Sequence, residues 1–197
     1  MELKEEVSSL KSSISSIQCE IDNADAYERR DTVIVAGSCV PEVVRGENCS
    51  DLALNIFKEE LRIELRNSDI STAHRLGPKP SNQTPDKRKL IVKFCRRDAK
   101  RQVILASKTL RSRRIFVNDS LTPTRKKIYD TLRSIKRSHP DLVKGVTTIE
   151  GRVFAFTKNS DLPNARDTKH LVSTMEALKT FCRDFVKQPL DIFLSQF

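Results

Sequence analysis

Apolar residues stand at Leu3, Val7, Leu10, Ile14, Ile17, Ile21 and Ala24, an unbroken alternation of four- and three-residue steps. A helix with that period carries one continuous apolar seam, which is stable only when laid against another surface. Val7, Ile14 and Ile21 take the a positions and Leu3, Leu10, Ile17 and Ala24 the d positions, a mixture of branching that suits two strands or three. The expectation is a coiled coil over residues 1–26, with Leu3, Val7, Leu10, Ile14, Ile17 and Ile21 as the oligomerisation residues. The other arrangement the pattern allows is one amphipathic helix folded back on its own domain. Because the repeat starts in mid-pattern at Met1, the natural chain is expected to extend further.

Beyond residue 26 the period changes from that of a helix to that of short strands alternating with helices. Thr32 to Gly37 is β-rich and stopped by glycine, and Ser50 can cap a helix whose apolar face is Leu52, Ala53, Ile56, Phe57 and Leu61. Ile70 to Leu76 and Leu90 to Phe94 read as strands separated by a polar, proline-broken loop over 78–86. Ala99, Val103, Ile104 and Leu110 mark a second helix, and Ile115-Phe116-Val117 a fourth strand. The order β-α-β-β-α-β over 27–118 predicts a four-stranded sheet with two helices on one face, like that of an RNA-recognition (RRM-like) module.

A second module is expected over 119–197. Thr122-Pro123 is an N-cap followed by proline at the first helical position, and Ile128, Leu132 and Ile135 share one face of the helix that follows. Glu150-Gly151 joins two strands, Val146 to Ile149 and Val153 to Phe156. Asp167 or Thr168 is placed as the cap of a last helix with Leu171, Met175, Leu178, Cys182 and Phe185 along its stripe. The fold class is therefore α+β: a coiled-coil helix, an RRM-like domain and a small α+β C-terminal domain.

Charge is concentrated. The net charge is +10, and residues 87–137 alone hold 18 Lys or Arg against 3 Asp or Glu, more than the surplus of the whole chain. A dense basic field releases condensed counterions when it meets a phosphate backbone, so the partner expected is a single strand of RNA or DNA. Candidate contacts are Arg29 and Arg30 before the first strand, Arg75 on the second, and Lys87, Arg88, Lys89 and Lys93 around the third. Arg96 and Arg97 open the second helix, Arg113 precedes the fourth strand, and Arg125, Lys126, Arg133 and Arg137 lie on the next helix. Sheet-face RNA modules stack bases on aromatic residues, yet the matching positions here are Lys89, Ile91 and Ile34, so backbone electrostatics must supply most of the affinity.

Catalytic and metal-binding patterns are missing. No phosphate-cradling Gly-x-x-x-x-Gly-Lys, no Gly-x-Ser-x-Gly elbow and no His-Glu-x-x-His occurs, so no enzyme activity, cofactor or metal is expected. Cys19, Cys39, Cys49, Cys95 and Cys182 are scattered without a Cys-x-x-Cys pair, which fits reduced thiols in an intracellular protein. No apolar run reaches the ~20 residues needed to cross a bilayer, so no membrane partner is expected.

Several of these strings occur in a telling order. Tyr27-Glu28-Arg29-Arg30 leads into the first strand, Ala73-His74-Arg75-Leu76-Gly77 covers the second and Arg88-Lys89-Leu90-Ile91-Val92-Lys93-Phe94 the third. Asn118-Asp119-Ser120-Leu121-Thr122-Pro123 and a basic helix follow. The chain thereby resembles, over nearly its whole length, the first-open-reading-frame protein of LINE-type non-LTR retrotransposons. In its second half it also looks, more distantly, like the baculovirus few-polyhedra protein. The resemblance implies a homotrimer held by the coiled coil, single-strand RNA gripped by both modules, and a nucleic-acid chaperone that coats its transcript. It implies a cytoplasmic ribonucleoprotein with access to the nucleus, and binding roles for Arg30, Arg75, Arg88, Arg125 and Lys126. The contrasting expectation is a coiled-coil adaptor whose basic domain takes an acidic protein surface.

Overall fold

A computed structural model describes residues 2–43, 46–78, 88–109, 115–158, 167–187, 190 and 193. Helix α1 spans Glu2–Arg29. It outruns the seam because residues 24–29 contain no helix breaker and Arg29 places a cation in the last turn, where the helix dipole favours one. The chain forms two compact units. One comprises 29–120, and the other joins 1–28 to 121–197.

In the unit 29–120, β1 (Thr32–Gly37) is followed by α2 (Cys49–Leu61), β2 (Ile70–Arg75), β3 (Leu90–Phe94), α3 (Arg97–Thr109) and β4 (Ile115–Asp119). The α2 cap is Asn48 rather than Ser50: the Asn48 side chain accepts the Ser50 N–H at 3.0 Å. An amide oxygen at that position satisfies one of the orphan donors of the first turn. The strands form a four-stranded sheet in the order β2-β3-β1-β4, all neighbours antiparallel. Alternation sends Val33, Val35, Leu90, Val92 and Phe94 to one face, where they are buried with Ala53, Ile56, Phe57, Ala99 and Val103 of the two helices. Phe57 stacks on Phe94 with ring centroids 6.0 Å apart, at the heart of that layer.

In the second unit, α4 (Pro123–Ser138) precedes β5 (Val143–Ile149), β6 (Arg152–Thr157), β7 (Thr168–Leu171) and α5 (Met175–Phe181), which continues into a π-helical turn over Cys182–Val186. Thr122 caps α4 by accepting the Arg125 N–H at 3.2 Å, with Pro123 just inside the helix. Glu150 and Gly151 have φ of 51° and 76°, the pair of left-handed residues that a two-residue hairpin needs to match the strand twist. Ile128, Leu132 and Ile135 of α4 pack with Val143, Val153, Ala155, Leu178 and Phe181 into one core.

The last helix is shorter than the sequence pattern suggests. Residues 168–171 are a strand, and α5 starts after Thr174, whose side chain accepts the Ala177 N–H at 3.1 Å. The β5–β6 hairpin leaves the outer edge of β6 with unpaired backbone groups, and β7 satisfies them along Phe154 to Thr157. Leu171, placed by the sequence pattern on the apolar stripe of that helix, is 53% exposed, while His170 turns inward beside Phe181 and Phe185 at 5.5 and 4.3 Å between ring centroids.

Candidate nucleic-acid interface

The face of the four-stranded sheet opposite its helices is set by strand parity. Registers align His74, Ile91, Ile34 and Asn118 in one row across it, with Thr72 and Lys93 in the next and Ala36 beside Phe116 on the other side. Phe116 is 60% exposed. Ile34 and Ile91 are neighbours on this outer face, and Phe116 puts a ring on the same face from the edge strand. The signal was legible: Ile115 is core, so its neighbour must point outward. The carboxylate carried by these strands, Asp119, points inward, where it sits 2.6 Å from the Lys100 ammonium. Lys100 is 5% exposed and also donates to the Arg30 carbonyl, so its charge is spent inside the unit.

The predicted cations of this unit divide into exposed and engaged groups. Lys89 and Lys93 are exposed. Arg96 and Arg97 are largely exposed but tethered: Arg96 forks onto Asp69 at 2.7 and 3.0 Å, and Arg97 lies 3.6 Å from Asp31. The Arg66 backbone N–H and then the Arg96 guanidinium hold the Asp69 carboxyl below the usual carboxylate range. Arg30 is half-buried and donates to Asp31 at 3.3 Å, Arg29 is half-buried in the last turn of α1, and Arg88 donates to the Gly77 carbonyl at 2.9 Å.

Arg75 is a correction. Its side chain is buried, forks onto Glu47 at 2.7 and 2.8 Å and donates to the Pro41 and Arg88 carbonyls at 3.1 and 2.9 Å. Residue 75 has the inward parity of its strand, and a guanidinium there must be paired on every side to be tolerated. Its role is to clamp the loop before α2 to the sheet. Lys87, Arg113 and the polar loop over 79–86 lie outside the described residues.

On α4 the division follows the helix faces. Lys126, Lys127, Arg133, Lys136 and Arg137 are exposed, opposite the buried Ile128, Leu132 and Ile135. Lys126 pairs with Asp130 one turn on, and Arg133 lies over the Tyr129 ring at 5.8 Å. Arg125 is the second correction: it is 5% exposed and its donors are taken by Asp22 at 2.9 Å, Asn23 at 2.7 Å and the Gly151 carbonyl at 3.1 Å. The Thr122 hydroxyl donates to the other Asp22 oxygen at 2.6 Å. This network fastens the end of α1 to the start of α4 and the β5–β6 turn, so Arg125 holds the unit together instead of facing a ligand.

The seam residues Leu3, Val7, Leu10, Ile14, Ile17 and Ile21 remain between 47% and 77% exposed in the single chain. Burial pushes the Cys182 thiol up to about 11, and raises those of Cys39 and Cys49, so these three stay protonated near neutral pH. Among the described residues no cluster of His, Cys, Asp or Glu is suited to hold a metal, and no helix is long and apolar enough to cross a membrane. No family model matches the chain, and no curated protein is significantly similar to it.

Proposed function

We propose that this protein binds single-stranded RNA, and single-stranded DNA by the same chemistry, as a non-catalytic coat and chaperone of the kind its resemblance to LINE first-open-reading-frame proteins implies. The observation that carries the reading is the outer face of α4, where Lys126, Lys127, Arg133, Lys136 and Arg137 stand exposed together. Five cations on four helical turns form the concentrated field that phosphates neutralise with release of counterions. The four-stranded sheet, in the order β2-β3-β1-β4, supports it, since its outer face presents Lys93, His74 and Phe116. Self-association through the α1 seam, as a trimer in this reading, multiplies such sites on one strand and raises avidity without any new contact.

The test is salt-titrated binding of a labelled single-stranded oligonucleotide by the full chain and by a variant with Lys127, Arg133, Lys136 and Arg137 changed to Gln. The residues are exposed and lie outside the core, so the variant should fold. Its affinity should fall and its salt slope flatten by about 0.7 for each phosphate that is no longer neutralised. Unchanged affinity and slope would sink the reading, and so would stronger competition by an acidic protein than by unlabelled RNA.

A further inference from the structure

The C-terminal sheet has an outer face that the proposed function leaves unused. Strand parity brings Phe154 and Phe156 of the central strand β6 to it, with Thr147 and Leu171 flanking Phe154 and Gly145 and Lys169 flanking Phe156. Both phenyl rings are half-buried, while Arg152, Lys169 and Leu171 are exposed. The Phe156 ring lies against Gly145, where a Cβ would meet it at 3.4 Å, so the missing side chain gives the ring room to lie down on the sheet. Lys169 reaches diagonally across the strands and holds its ammonium 4.0 Å from the centre of the Phe154 ring.

Charge distinguishes this face from one that packs against protein. The strands β5, β6 and β7 carry Lys144, Arg152 and Lys169 and no Asp or Glu. Phenyl rings and arginine also serve protein interfaces, but rings interleaved with lysine and arginine, on strands without an acid, match a ligand that offers π faces and phosphates in alternation. We propose that this face is a base-stacking platform for single-stranded nucleic acid, with Phe154 and Phe156 each taking a base and Lys169 and Arg152 their phosphates. The proposal rests on the single-strand reading above and adds where bases are held.

The geometry also states what the platform does to its ligand. Residues two apart on a strand are separated by roughly 6.8 Å, twice the spacing of stacked bases, so two bases on these rings are splayed from each other. An exposed cation over a ring is held more weakly than a stacked base, so the incoming base displaces Lys169 and frees its ammonium for the adjoining phosphate. Such a site binds unpaired strands and rejects duplexes, and it discriminates little between bases because each has a π face.

The experiment compares the full chain with F154L/F156L, which keeps apolar bulk and hence the fold, on a labelled single strand and on the same backbone made abasic. The intact protein should bind the base-bearing strand more tightly, and the leucine variant should lose about tenfold in affinity for it. The variant's salt slope should be unchanged, because every cation that meets a phosphate is still present. Equal affinity of variant and parent for the base-bearing strand overturns the platform and leaves the α4 reading standing. Binding of neither strand by the intact protein overturns both. Displacement of the strand by poly-glutamate as readily as by unlabelled RNA also overturns the platform, since a carboxylate chain has nothing to stack.

Discussion

His170 shows how one side chain acquires a property its neighbours in the chain do not hint at. It stands on β7 between the exposed Lys169 and Leu171, yet its ring packs beside Phe181 and Phe185 and its Nε2 lies 2.8 Å from the Thr157 hydroxyl. Burial therefore lowers its pKa from 6.5. A histidine whose folded value is depressed binds protons more readily in the unfolded chain, so its contribution to stability is intact above about pH 6.5 and is lost as pH falls toward the folded value. Thermal unfolding followed between pH 7.5 and pH 5 should show the midpoint dropping through that window, and H170N should flatten the dependence. A parallel drop in both proteins would exclude His170 as its source. Phe116 and Lys100 make the related point that parity decides what a strand or helix residue does. The phenylalanine faces outward from a run of three apolar residues, whereas the lysine is buried against Asp119.

At the level of elements, α1 combines two unlike halves. Its first six turns expose a seam, and its end is pinned by Asp22 and Asn23 to Thr122 and Arg125. Six large apolar side chains left in water along one stripe favour association with a like stripe, at roughly 25 cal/mol for each Å² covered. Changing Leu10 and Ile17 to Lys puts charge at two d positions, remote from every bond that holds the end of the helix. If the chain self-associates through this seam, as proposed, light scattering should then find the mass reduced to that of one chain, with circular dichroism showing both sheets retained. An unchanged mass would assign association to another surface or exclude it. The strand over 168–171 and the short α5 mark where local pattern misled: Leu171, Met175 and Leu178 have helical spacing, but the open edge of β6 offered the backbone a partner first.

For the molecule as a whole, chain order and spatial order differ. The unit formed by 29–120 interrupts another made of 1–28 and 121–197. The chain enters that unit on β1 and leaves it on β4, which are adjacent, with Val33 opposite Asp119 and the Ser120 N–H donating to the Thr32 carbonyl at 3.2 Å. The two flanking segments emerge side by side, and Arg125 locks them across 103 residues of sequence. Removing it leaves Asp22 without its main partner in a largely buried site. R125A should therefore cost about 3–5 kcal/mol in denaturant unfolding. Hydrogen exchange should place the loss in residues 20–28 and 121–157, with 29–120 keeping its protection. A variant of full stability and weakened RNA binding would return Arg125 to the surface role that the resemblance implies.

Sequence alone was enough for whatever depends on neighbours in the chain. A 3.5-residue period located α1, short β-rich runs located β1 and β3, Thr122-Pro123 marked the start of α4, Glu150-Gly151 marked a hairpin, and the charge count marked 87–137 as basic. Tertiary structure decided which of those charges are available. Arg75 and Arg125 look no different from Lys93 and Arg133 in sequence, and they are withdrawn from the surface by Glu47 and Asp22, residues 28 and 103 positions away. The reason is physical: periodicity is a property of a few adjacent residues, but desolvating a guanidinium is tolerable only where a distant carboxylate meets it, and that meeting exists only once the chain has folded.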